Sequence, residues 1–232
     1  MPEMTIIVDE REGALAIEDD SRLSAAALLI LGEQFGEARE IGCAKPLEII
    51  TAEPASAEEL ETAVCVRVGG FYHNSLTEGP GRRSSVLFQS CPLKCKGCWV
   101  PHLHSEDAGE LVPVTRLAAE LLDPKYQRDG VSILGGEPFA QPEGLLALIR
   151  ELHGRGCQHI VCYSGYTLET LNEKAARQPS IGAILDEIEV LIDGAFVESK
   201  AAGAGLWTGS GNQRVIDLRA TRRGNRVILY SH

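Results

Sequence analysis

From Ser84 onward the chain reads as an α/β protein with a mainly parallel sheet and helices outside it. Two observations carry this. Short runs rich in branched apolar residues alternate with stretches that are apolar at helical spacing, which is the pattern of strand–helix–strand units. No internal repeat or low-complexity segment breaks the alternation. The strands are expected at 84–89, 131–134, 159–162 and 190–192, and helices at 117–122, 145–152 and 167–176. The run 226–230 has the composition of a closing strand.

The first third of the chain differs. Residues 1–70 hold 15 acidic and 5 basic side chains, a balance of −10, whereas the remaining 162 residues hold 18 and 17. This asymmetry marks a boundary, and we expect an acidic extension over 1–65, small and α/β in character, before a core at 66–232. Within the extension 5–8 and 46–51 read as strands and 24–35 as a helix. The run 54–61 reads as a turn leading into a capped helical start. A structural extension without separate activity is the expected role; a small appendage that docks a partner is the other reading.

Composition limits the function classes. The 232 residues suffice for one or two domains with a real core, and 44% hydrophobic with 5% aromatic residues is a globular balance. The longest apolar run near the N-terminus, 25–31, is only seven residues, so no membrane span is expected. No basic region leads into an apolar stretch, so no secretory signal is expected. A net charge of −11 repels nucleic-acid phosphates. Seven cysteines, an odd number, suit a reducing compartment, and the expected location is cytoplasmic.

Three of those cysteines are set as Cys91-x3-Cys95-x2-Cys98. Three thiolates on one short loop suit three corners of an iron–sulfur cube and leave the fourth iron open for chemistry. A structural zinc site would want four closed ligands, with His102 or His104 supplying the fourth, and the spacing alone leaves that alternative standing. Cys43, Cys65, Cys157 and Cys162 form no Cys-x2-Cys pair and read as small hydrophobes, so a second cluster is not expected. Lys94 and Lys96 flank the thiolates; they read either as solvated loop charges or as a landing point for an acidic electron donor.

Further motifs follow in order. Gly135-Gly136-Glu137-Pro138 closes the 131–134 run. Glycine lets a backbone approach a neighbour closely, and a carboxylate is the natural partner of a buried ammonium. Alone, the segment is also an ordinary strand-to-helix turn with proline opening the next helix. Gly79-Pro80-Gly81-Arg82-Arg83 precedes the first core strand, Tyr163-Ser164-Gly165-Tyr166 follows the 159–162 run, and Asp193-Gly194-Ala195-Phe196-Val197 follows 190–192. Trp207-Thr208-Gly209-Ser210-Gly211-Asn212-Gln213-Arg214 comes last.

The cysteine loop with the aromatic Trp99 after it resembles the signature of the radical S-adenosylmethionine (SAM) superfamily. The ordered set is most similar to the activating enzymes of glycyl-radical proteins, the activators of anaerobic ribonucleotide reductase above all, and covers about residues 66–220. That resemblance implies an incomplete (β/α) barrel of radical SAM type, with the site at the C-terminal ends of the strands. It implies one 4Fe-4S cluster on Cys91, Cys95 and Cys98, and SAM held at its methionine end by Gly135, Gly136 and Glu137. Trp99 would pack near the adenine, and Ser164 and Gly165 would reach the ribose. The implied reaction is reductive cleavage of SAM to methionine and a 5'-deoxyadenosyl radical, which takes a hydrogen atom from a glycine of a partner protein. The implied partners are a glycyl-radical protein and a flavodoxin- or ferredoxin-type donor, with no nucleic acid and no membrane.

Two other classes stand beside this one. A radical SAM enzyme acting on a small molecule or peptide, for example one like 7-carboxy-7-deazaguanine synthase, would use the extension as part of a substrate pocket. A non-enzymatic metal-binding module would make Glu137 and its glycines coincidental.

Overall fold

The computed structural model describes the strands Ile6–Asp9 (β1) and Ala14–Ile17 (β2) and residues 48–231. The chain divides into two compact units, Met1–Pro46 and Leu47–His232. In the first, β1 and β2 pair antiparallel from Ile6 opposite Ile17 to Asp9 opposite Ala14. The strand expected at 5–8 thus corresponds to β1, and the helix expected at 24–35 lies outside the described residues.

The second unit begins with Ala57–Thr62 (α1), a helix started by a capping box. Ser56 Oγ accepts from Glu59 N, and the Glu59 carboxylate accepts from Ser56 N at 2.8 Å, so two end amides are satisfied by two side chains. The strand expected at 46–51 reduces to one bridge, Ile50 opposite Phe71.

Seven strands form the sheet in the order β5-β3-β4-β6-β7-β8-β9. They are β3 (Cys65–Ser75), β4 (Arg83–Phe88), β5 (Glu110–Pro113), β6 (Gly130–Gly135), β7 (Ile160–Ser164), β8 (Val190–Asp193) and β9 (Arg214–Asp217). β4, β6, β7 and β8 run parallel to their neighbours. β3 and β9 flank them antiparallel, and β5 adds an antiparallel edge on β3. The expected parallel strands are all present, and the sheet stays open: its two edges are β5 and β9.

The closing strand expected at 226–230 is a correction. The segment makes one bridge, Leu229 opposite Ile216, with Asp217 N donating to Ile228 O and Tyr230 N to Val215 O. The pairing is confined to the stretch opposite Val215–Asp217, because β9 ends at Asp217 and a helix begins at Leu218.

Helices Val114–Leu121 (α2), Pro142–Gly154 (α3), Leu168–Ala175 (α4), Pro179–Glu187 (α5) and Leu218–Gly224 (α6) complete the unit. In α3, Leu145, Leu148, Ile149 and Leu152 recur at i, i+3, i+4 and i+7 and are fully buried. Val114, Leu117, Ala118 and Leu121 repeat that spacing in α2. Both stripes join Val86, Phe88, Val131, Ile133, Ile160 and Cys162 in one core on the helical side of the sheet. The alternate residues face the other way: Leu87 packs with Tyr72 and Leu103, and Val161 with Val190 and Ile192. No described helix is long and apolar enough to cross a membrane.

Candidate functional site

Parallel strands put all their C-terminal ends at one edge, and that edge gathers the motifs. The cysteine loop leaves β4 three residues before Cys91, the Gly-Gly-Glu segment ends β6, Ser164 ends β7, and the Asp193–Val197 segment ends β8. Residues separated by more than 100 positions in the chain therefore share one rim.

The glycine pair is required by crowding. Gly135 sits at φ +109°, and a Cβ there would stand 2.6 Å from Phe88 N. A Cβ on Gly136 would collide with Ser90 O. Gly136 N donates to Phe88 O and Glu137 N to Ser90 O, each at 2.8 Å. The two glycines thus let the end of β6 lie directly against the base of the cysteine loop.

Glu137 is fully buried beneath this contact. Its Oε1 accepts from Phe139 N and Ser164 Oγ, each at 3.0 Å, and its Oε2 from Gly165 N at 2.8 Å. Burial raises its pKa to about 7, against the lowering effect of those three donors. Ser164 Oγ also accepts from Tyr166 N at 3.1 Å, so its hydroxyl is committed to Glu137 and to its own turn. Ser164 and Gly165, the residues expected at the ribose, both donate to the Glu137 carboxylate. Gly165 meets the cysteine loop as well, since a Cβ there would collide with the Leu93 side chain.

In the loop itself Cys91 is buried, and Cys95 and Cys98 are half-buried; all three are free thiols. Burial pushes the Cys91 thiol up, opposed by the Lys94 and Leu93 amides that donate to its sulfur. Lys94 at φ +44° and Gly97 at φ +72° curl the chain between the cysteines. Among the described residues no three His, Cys, Asp or Glu side chains converge closely enough to hold one metal ion. A single zinc requires such convergence at about 2.3 Å from each sulfur. A 4Fe-4S cluster gives each thiolate its own iron, so three thiols spaced along one loop, with amide donors at Cys91, fit its chemistry.

The neighbours are placed plainly. Trp99 is 70% exposed, with its ring 5.6 Å from that of Phe196. His102 and His104 lie in the short 3₁₀ turn Pro101–His104, where His104 Nε2 is enclosed without a hydrogen-bond partner. Cys65, Cys157 and Cys162 are free, and the last two belong to the apolar core. The residues missed by sequence reasoning are Leu93, which seats the loop on Gly165, and Phe196, whose aromatic type beside a glycine turn was the available signal.

Comparison with known proteins gives concordant findings. Residues 77–216 match a family model described as a 4Fe-4S single cluster domain. The chain is 32% identical over 164 residues to the anaerobic ribonucleoside-triphosphate reductase-activating protein of Salmonella typhimurium, covering 66% of this chain and all of that one. It is 31% identical over 104 residues to the pyruvate formate-lyase-activating enzyme of Clostridium pasteurianum, 43% of this chain and 44% of that one. Among solved structures, QueE from Escherichia coli matches 49% of this chain and 59% of its own with a TM-score of 0.39 and 20% identity, too loose a match to support an argument.

Proposed function

This chain belongs to the 4Fe-4S single-cluster family of radical SAM activating enzymes, and from that premise we propose that it installs a glycyl radical on a partner akin to anaerobic ribonucleotide reductase. The observation that carries the reading is the joining of the thiol loop to a buried carboxylate at one sheet edge, through Glu137 N to Ser90 O and Gly165 against Leu93.

Cys91, Cys95 and Cys98 would hold the cluster. Gly135, Gly136 and Glu137 would hold the methionine end of SAM, with Ser164 and Gly165 orienting the Glu137 carboxylate, and Trp99 would pack near the adenine. When bound, cluster and SAM supply a one-electron cleavage of the sulfonium carbon–sulfur bond that ends in hydrogen abstraction from a glycine of the partner. Glu137, whose carboxyl titrates near neutrality, would meet the ammonium of bound SAM; the nearby cation would favour the ionised carboxylate, with the proton released to solvent, and leave a buried charged pair. Exposed Lys94 and Lys96 beside the thiols suit an acidic flavodoxin or ferredoxin as reductant. Of the acidic extension expected over 1–65, Met1–Pro46 is a unit of its own and 47–65 goes with the unit that carries the site; the family match starts at residue 77, and the place of work is the cytoplasm.

Anaerobic reconstitution tests this. Iron and sulfide of about four each per chain and reductant-dependent release of 5'-deoxyadenosine are expected. Cys95→Ala should abolish both while keeping the thermal transition. A colourless zinc protein, or an iron-loaded one that leaves SAM intact, would sink the reading. With the partner added, a glycyl-radical EPR doublet is the expected final product.

A further inference from the structure

The Asp193–Val197 and Trp207–Arg214 motifs play no part in the chemistry above, yet in the fold they are one object. Ser210, fully buried, accepts from Val197 N at 3.1 Å and donates to Asn212 Oδ1 at 2.9 Å. Asn212 Nδ2 donates to Ala195 O and Gln213 Nε2 to Gly194 O, each at 2.8 Å. Gln213 Oε1 accepts from Gly209 N at 2.7 Å and Ser210 N at 3.1 Å, and Gly211 N donates to Lys200 O at 2.9 Å. Ser210, Asn212 and Gln213 of the second motif thus bind the backbone of the 194–197 segment. They form a lock between two loops.

What the locked pair presents is Phe196 and Glu198. The Phe196 ring stands 5.6 Å from Trp99 at 57°. The Glu198 carboxyl carbon lies 2.7 Å from where a Cβ on Gly97 would be, and its Oε2 lies 3.9 Å from Lys96 Nζ. These contacts fall on one half of the cysteine loop. The other half is anchored by the sheet edge: Cys91 N donates to His104 O, and Leu93 rests on Gly165. From Cys95 to Trp99 the recorded backbone bond is internal, Cys98 N to Cys95 O at 3.2 Å, so among the described residues this turn has no backbone tie to the sheet.

The geometry points to the 194–213 double loop as a clamp that sets the position of the Cys95–Trp99 turn, with Phe196 and Glu198 as positioning residues and Ser210, Asn212 and Gln213 as the lock. The clamp rests on the reading that these thiols hold the cluster, because it gives two of the three a fixed place before any ligand arrives. Phe196 is the principal contact. The Lys96–Glu198 pair is solvent-exposed and adds little of its own.

The test is alkylation of the reduced, cluster-free protein by iodoacetamide, resolved cysteine by cysteine with peptide mass spectrometry. Phe196→Ala should raise the rate at Cys98 relative to Cys91 by about two- to tenfold, the range an aromatic pair is worth. Phe196→Tyr should return the ratio to normal, and Asn212→Ala should move it in the same direction by less. After reconstitution, the EPR line shape of the reduced Phe196→Ala protein should differ from the parent. An unchanged Cys98/Cys91 ratio, or equal acceleration at all three thiols, overturns the clamp; the second result would mean general loosening. If Phe196→Ala loses its cooperative thermal transition, Trp99→Ala probes the same contact from its exposed side and should give the same ratio. A parent protein that takes up no iron would sink the activase reading, while the alkylation ratio would still decide the clamp.

Discussion

Arg83 and Glu137 are both fully buried ionisable groups, they stand at opposite ends of the parallel strands, and they are met in opposite ways. At the rear edge Arg83 Nε donates to Ser132 Oγ at 3.0 Å, one terminal nitrogen to Pro80 O at 3.3 Å, and the other to Val131 O at 2.6 Å and His159 O at 3.2 Å. His159 Nδ1 lies 3.1 Å from the first of these nitrogens. Among the described residues no carboxylate is one of its hydrogen-bond partners. Burial lowers its pKa only to about 10, so it stays charged at pH 7, its cation spread over carbonyls that tie the Gly79–Arg83 turn to β6 and β7. At the mouth, Glu137 has three donors for two oxygens and a pKa near neutrality. A saturated charge holds a fold together, whereas an undersaturated one at a ligand-facing edge retains capacity for a cation.

The largest expected effect breaks the rear edge. Arg83→Ala removes a buried cation together with its hydrogen bonds to Ser132 Oγ, Pro80 O, Val131 O and His159 O and should cost about 3–5 kcal/mol, read as a lower urea midpoint at unchanged slope. Arg83→Lys should recover part of it. A shift below about 1 kcal/mol would show that the rear edge does not depend on this cation.

The mouth should respond differently. Native Glu137 keeps its proton to about pH 7, while the unfolded chain releases it near 4.5. A carboxyl whose native value is raised favours the fold while protonated, so its contribution is complete below 4.5 and is lost as pH rises through 7. Glu137→Gln should remove a decline in unfolding free energy of up to about 3 kcal/mol across that window, measured by denaturant titration at several pH values. The same variant should raise the KM for SAM about ten- to a hundredfold, the worth of a charge-assisted hydrogen bond. Arg83→Lys should leave that KM alone.

Smaller changes sharpen the contrast. Ser164→Ala removes one of the donors on Glu137 and should cost about 1 kcal/mol, with the pH-dependent decline moved to higher pH. Lys96→Gln should alter stability by less than about 0.5 kcal/mol. It should slow cluster reduction by an acidic electron donor at low salt, with parent and variant rates converging as salt is added.

Much of this was legible in the chain. The four parallel strands and helices α2, α3 and α4 follow from apolar runs and from spacing such as Leu145, Leu148, Ile149 and Leu152, because local periodicity reports which face is buried. Helix α1 follows from Ser56 and Glu59, a pairing three residues apart. The longest strand did not announce itself. β3 carries Gly69-Gly70 and His73-Asn74, which break its alternation, and its pairing to β4 shifts register at Val68/Gly70 and Tyr72/Ser75. Such irregularities are paid for by a partner strand, and a single segment does not display its partner.

Residue types and order determined the chemistry by themselves: three thiols at fixed spacing, a Gly-Gly-Glu segment some forty residues on, and glycine-rich motifs after successive strands. Tertiary structure decided how they meet. Only in the fold does Ser164 bind Glu137 rather than face outward, does Gly136 serve closeness to Ser90, and do Gln213 and Asn212 close on Gly194 and Ala195. The physical reason is range. Sequence patterns report forces between near neighbours along the chain, whereas the charge state of a buried carboxyl and the footing of a loop depend on groups that only packing brings within hydrogen-bond distance.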